Sequence, residues 1–170
     1  MMRRAFLAAS ALAAAACTQP EPPRPVTVSN VEVSVDLAAI ATRSAAHHWT
    51  TLEADIASAL GQEFVGMTSP EGYVVKVDVD ELSLAALSSP AIGADEARLT
   101  GRVEMVDRFN ETVARSFAVS ASSNEAAAFL PAGRTVTTVS PSSHEFYAAV
   151  VRAFAQGVAE VVRTGPNPPA

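Results

Sequence analysis

GYVVKVDVDELSL, residues 72–84, is the stretch whose reading decides the fold. Tyr73, Val75, Val77 and Val79 point one way, and Lys76, Asp78 and Asp80 point the other. That is the two-residue period of a strand with one buried face. A sheet made of such strands is apolar on one side, so it needs covering on that side alone.

Working outward, three more segments carry the same period. In 26–37, Val31, Val33 and Val35 alternate with Glu32, Ser34 and Asp36. In 97–107, Leu99, Val103 and Met105 oppose Arg98, Thr100, Arg102 and Glu104, with Gly101 on the buried side, where it lets a helix approach. In 112–121, Val113, Phe117 and Val119 face inward, and Arg115 interrupts that set. Asp107 to Glu111 reads as the hairpin turn between the last two strands. Residues 88–96 read as a loop, and Pro131-Ala132-Gly133 as a turn followed by a short added strand over 134–139.

Two segments carry the helical period instead. From Thr50 to Phe64, the residues Trp49, Leu52, Ile56, Leu60 and Phe64 form one apolar stripe, and Thr50 with Glu53 is a capping-box pair. From Ser142 to Arg163, Phe146, Val150, Phe154, Val158 and Val161 make a second stripe opposite Arg152, Gln156 and Glu160, with Ser142 and Glu145 as the capping pair. The expected order is β-α-β-β-β-α. It implies an α+β domain over 26–163: a two-layer sandwich with a mostly antiparallel sheet and two amphipathic helices on one face.

The N-terminus sets the location. Arg3 and Arg4 precede an apolar run, Ala5–Ala16, which ends directly before Cys17, the only cysteine. This is the layout of an export signal over 1–16, with cleavage between Ala16 and Cys17. The run of about 12 residues is short of the roughly 20 a membrane-spanning helix needs. A lone cysteine at a signal junction reads as a lipid attachment point. The triplet Ala14-Ala15-Ala16 also satisfies the small-x-small rule of ordinary signal peptidase, so a soluble secreted product stays open. Arg3-Arg4-Ala5-Phe6-Leu7 fits the twin-arginine route as well as the general one. Residues 17–25 then hold the attachment cysteine and a proline-rich tether. Residues 164–170 read as a disordered tail.

The chain has 170 residues and a net charge of −6. Loss of Arg3 and Arg4, the only charges before Cys17, takes that to −8. The only lysine is Lys76 and no basic stripe exists, which excludes nucleic-acid binding through phosphates. A solvated face, not a calcium loop, is the reading of Asp78, Asp80 and Glu81, with Asp95-Glu96 nearby. His47-His48 lack further ligands at metal spacing. Ser142-Ser143-His144-Glu145 is a helix cap and not a triad. No nucleophile elbow, phosphate loop, zinc-protease or dithiol motif occurs, so no catalytic residue, metal or cofactor is expected.

Three segments resemble the ABC-type transport auxiliary lipoproteins of Gram-negative envelopes. Trp49-Thr50-Thr51-Leu52-Glu53-Ala54-Asp55-Ile56 resembles their Trp-led first helix. Tyr73–Val79 with Leu99–Asp107 resembles their central strands, and Glu145-Phe146-Tyr147-Ala148-Ala149-Val150-Val151 their closing helix. Lipopolysaccharide-assembly lipoproteins share a similar order. The resemblance implies a non-enzymatic, lipid-anchored periplasmic accessory protein of an envelope transport or assembly complex, held by Cys17 and partnered by another envelope protein. Thr18, in place of the aspartate that favours inner-membrane retention, points to the outer membrane. The alternative is a binding domain for a small apolar ligand or lipid, with Trp49, Phe64, Phe146 and Phe154 lining a cavity between helices and sheet.

Overall fold

The computed structural model describes residues 25–35, 48, 50–84 and 97–164. The expected signal, Cys17 and most of the tether lie outside these residues, as do His47, Trp49, Asp95, Glu96 and the tail from 165 onward.

Strands β1 (Val28–Val35), β2 (Tyr73–Ser83), β3 (Arg98–Val106) and β4 (Val113–Ser122) form one sheet in the order β1-β2-β3-β4. The first pair is parallel and the other two are antiparallel, so the sheet is mixed and the fold is α+β. The parallel pair follows from the helix between its strands: α1 (Leu52–Glu63) lies on the crossover from β1 to β2. The register carries the sequence period across strands. Val33, Val77, Val103 and Phe117 form one row, and Val35, Val79, Gly101 and Val119 the next. Val75, Val77, Val79 and Val103 are fully buried, which stabilises the fold by about 1.5–3 kcal/mol for each side chain. The alternation breaks at an irregularity after Val79, where Glu81 pairs with Thr100. Beyond it Leu82, Ser83 and Leu84 are all buried.

α1 buries Leu52, Ile56 and Leu60, with Phe64 just after it. The capping box expected at Thr50 and Glu53 does not form. The cap position is Thr51, whose side chain makes no cap bond, so Glu53 falls one place short of the third helical position. Gly66, at φ +82°, turns the chain away after the helix.

After β4 comes a helical segment absent from the expected order: α2 (Ser123–Ala126), continuing as a 3₁₀ turn over Ala127–Phe129. Its start is a complete capping box between Ser122 and Glu125. The expected strand at 134–139 is instead a turn. Thr138 N–H donates to the Thr135 carbonyl at 3.0 Å, and Thr135 N–H to Thr138 Oγ1 at 3.0 Å. Local threonine bonds of this kind compete with strand pairing.

The closing helix, α3 (His144–Thr164), is capped by Ser143, one residue later than expected: its Oγ accepts from Phe146 N–H at 3.2 Å. Phe146, Val150, Phe154 and Val158 are buried as the stripe requires, while Val162, and not Val161, continues it. Tyr147, Val151, Ala149, Ala153, Ala155 and Ala159 are buried too. The reason is that α3 touches β3 and β4 on one side, α1 on another, and α2 with its 3₁₀ extension on a third. Alanines let these neighbours come close. Arg152, Gln156 and Glu160 remain exposed.

Candidate functional site

The uncovered face of the sheet carries charged and polar residues on β1, β2 and β3 and small ones on β4, with Val74, Val106 and Val113 at one end. Its rows follow from the register: Glu32, Lys76, Glu104 and Ser116 in one, and Ser34, Asp78, Arg102 and Ala118 in the next. Charges alternate within each row. Lys76 Nζ sits 3.5 Å from Glu32 Oε2, and Ser34 Oγ donates to Asp78 Oδ1 at 3.0 Å. Opposite charges facing each other across strands stabilise a sheet by about 0.2–1 kcal/mol per pair, and exposed pairs give the lower part of that range. An open cleft of about 430 Å³ crosses one end of this face, lined by Glu32, Lys76, Glu104, Arg108, Glu111 and Val113 among others. Asp78 and Asp80 stand exposed on this face, and the irregularity after Val79 displaces Glu81 to half-burial.

The expected hairpin turn is built as its residue types demand. Asp107 Oδ1 accepts from Phe109 N–H at 2.8 Å and Asn110 N–H at 3.3 Å, and Asn110 Oδ1 accepts from Thr112 N–H at 3.0 Å. Arg108 reaches back to donate to the Pro70 carbonyl. These carboxylates and amides serve the turn.

The structure brings together a group that sequence reading kept apart. Tyr147 on α3 donates its hydroxyl hydrogen to Asp55 Oδ2 on α1 at 2.7 Å. The His48 ring stacks on Tyr147 at 3.9 Å and 7°, and the His144 ring lies 6.3 Å from Tyr147 and 6.4 Å from His48. Burial, then the hydrogen bond to Asp55 and its charge, push the Tyr147 phenol well above its ordinary range, and the Thr51 side chain offsets this slightly. The phenol therefore stays protonated and acts as a donor; it cannot supply a base or an anion near neutral pH. Among the described residues no three His, Cys, Asp or Glu side chains gather as metal ligands. The cluster ties α1 to α3. One sequence signal for it existed: a tyrosine flanking an apolar stripe needs a partner once buried.

Tyr147→Phe is expected to cost about 1–3 kcal/mol, because it strips Asp55 of a donor in a half-buried position. The pH dependence has a definite sign. A phenol whose folded pKa is raised contributes stability in full below the ordinary tyrosine pKa near 10, and that stability falls as pH rises above it. Urea unfolding at pH 8 and pH 11 should show a drop in the wild type that is smaller in Tyr147→Phe.

The phenylalanines of the expected apolar cavity are core residues. Phe64, Phe146 and Phe154 are all buried in the continuous apolar cluster. Helix α3 and the sheet are in close contact: a Cβ on Gly101 would stand 3.2 Å from Phe154 Cζ, and one on Gly157 3.2 Å from Val119 Cγ1. Among the described residues no helix is long and apolar enough to cross a membrane.

No protein-family profile matches the chain, and no curated protein does. Solved structures to which the chain is similar include the PelC dodecamer from Paraburkholderia phytofirmans, at 16% identity over 82% of this chain and 89% of that one, with a TM-score of 0.42. A minor lipoprotein from Acinetobacter baumannii is similar at 16% identity over 83% and 97%, with a TM-score of 0.45. A protein from Xanthomonas campestris aligns at 15% identity over 85% of each chain, with a TM-score of 0.41.

Proposed function

We propose that this chain is a non-enzymatic accessory lipoprotein of a bacterial envelope transport or assembly complex. It is a domain over 26–163 held at the periplasmic face of the outer membrane by a lipid on Cys17. The carrying observation is the division of the sheet: its apolar face is closed by tightly packed helices, and its other face offers alternating charges to solvent on β1, β2 and β3, with small residues on β4. Alternating surface charge suits register-specific docking to another protein, where complementarity sets specificity more than affinity. The signal layout before Cys17 supports the anchor, and the resemblance to ABC-type transport auxiliary lipoproteins supports the kind of machine.

Two measurements test the parts separately. Metabolic palmitate labelling should mark the wild type and vanish in Cys17→Ser; an unlabelled wild type, or equal labelling of both, removes the anchor. Affinity purification from envelope membranes should recover transport or assembly subunits, and Lys76→Glu with Arg102→Glu should reduce that recovery at least tenfold. Undiminished recovery sinks the sheet face as the docking surface.

A further inference from the structure

Val28 pairs with Tyr73, the neighbouring Val74 with Val106, and Val106 with Val113, so the entry of the chain into β1 and the β3–β4 hairpin share one end of the sheet. Val28 N–H donates to the Met67 carbonyl at 2.9 Å, which brings the turn after α1 to the same end. The exposed large hydrophobic residues found among the described residues are Val65, Phe109 and Val113, at 77%, 77% and 51% exposure, and all three are here. Scattered single apolar side chains need no explanation; here the three fall at one end of the domain, the end where the tether also enters. Phe109 is also held outward by construction, since its own N–H and that of Asn110 are bonded to Asp107 within the turn.

The length of chain before Pro25 says what meets this end. Seven residues, 18–24, separate Cys17 from Pro25; the eight steps between those two residues, at roughly 3.3–3.6 Å each, reach at most about 29 Å. An inverted domain would need a tether spanning the eleven residues of β2, roughly 36 Å at ~3.3 Å per residue. A lipid on Cys17 therefore keeps the Phe109 end toward the bilayer. We propose that this end rests on the membrane surface, with Phe109 and Val65 entering the headgroup boundary of the lipid that Cys17 anchors. The proposal rests on the lipid-anchor reading. Aromatic and aliphatic side chains suit that boundary. The charged side chains around it include Arg108 and Lys76 against Glu32, Glu104, Asp107 and Glu111, with Arg163 paired to Glu63 at 3.6 Å. That balance is acidic, so the contact is apolar, needs no anionic lipid and should be insensitive to salt.

The test couples the mature chain through its Cys17 thiol to maleimide-bearing phosphatidylethanolamine in phosphatidylcholine vesicles containing a dibrominated phosphatidylcholine. Phe109→Trp places a probe at the proposed contact, and Ser120→Trp places one on the exposed polar face at the opposite end of β4. Trp49 is the only native tryptophan and adds the same background to both. Fluorescence of the Phe109→Trp variant should be quenched at least twofold more than that of Ser120→Trp, equally at 20 mM and 500 mM salt. Equal quenching of the two variants overturns the proposal. So does a blue shift in Phe109→Trp that grows with protein concentration and ignores the bromines, since a second copy of the chain would then cover this end. Because the coupling is chemical, failure here is distinct from failure of acylation, which palmitate labelling alone reads.

Discussion

Phe154→Ala is expected to lower the unfolding free energy of the mature domain by about 3–5 kcal/mol, the range for removing a buried ring. Phe154 is fully buried on α3, the element that meets the sheet, α1 and α2 together. Its ring edge lies against Gly101, where β3 has no side chain of its own, so no side chain at that position stands ready to fill the space left. The surrounding valines are β-branched and sit on paired strands, which limits collapse into the cavity. A loss of that size is a large part of the 5–15 kcal/mol typical of a domain and should lower Tm by roughly 10 °C. Urea and thermal unfolding of Cys17→Ser protein, with and without the second substitution, measure it. A loss below about 1 kcal/mol would mean that α3 is not seated on Gly101.

Gly101→Ala probes the same contact from the sheet side. The added Cβ would lie 2.5 Å from the Asp78 carbonyl oxygen, 3.2 Å from Phe154 Cζ and 3.3 Å from Val79 Cα. The ring can tilt, but the carbonyl cannot retreat, because β2 is bonded to β1 on one side and β3 on the other. Overpacking of this kind costs about 1–3 kcal/mol, and backbone on one side of the clash puts the expected loss near the top of that range. Adding Phe154→Ala should recover little of it, since the backbone collision remains. A coupling of less than about 1 kcal/mol in the double-mutant cycle is the expected result. A larger recovery would place the strain at the ring and not at the strand.

These two substitutions mark how legible the chain was. Gly101 was readable as a point of close approach, since a residue without a side chain on the buried side of a strand invites a helix. What it approaches was not readable, because residues 101 and 154 meet only through the fold. The helix starts show the same boundary. Neither expected capping box forms, each helix starting one residue later than expected, and the box that does form, Ser122 with Glu125, was missed. Ser-x-x-Glu is a common pattern, and which copy caps depends on where the flanking strand releases the chain. Val113 belonged to the inward set by its period, yet stands half exposed at the start of β4, where the pairing with β3 shifts between Met105 and Val106.

The candidate surfaces divide along the same line. The polar rows needed only the two-residue period to be placed on one face, but their pairing of Glu32 with Lys76 and Asp78 with Arg102 came from strand order and direction. His48, His144, Tyr147 and Asp55 are scattered over almost a hundred positions and meet because α1 and α3 pack side by side. Phe109 read only as part of a turn until the sheet put it beside the entry of the tether.

Period and composition are local properties, so the chain alone determined an α+β class, the buried side of β2 and β3, the polar outer stripe of α3, and the expectation of export with an anchor at Cys17. The tertiary structure decided the mixed sheet, the third flank on α3, the histidine–tyrosine group and the apolar end around Phe109. Each depends on contacts between residues far apart in sequence, and local period carries no record of which distant segment will lie alongside.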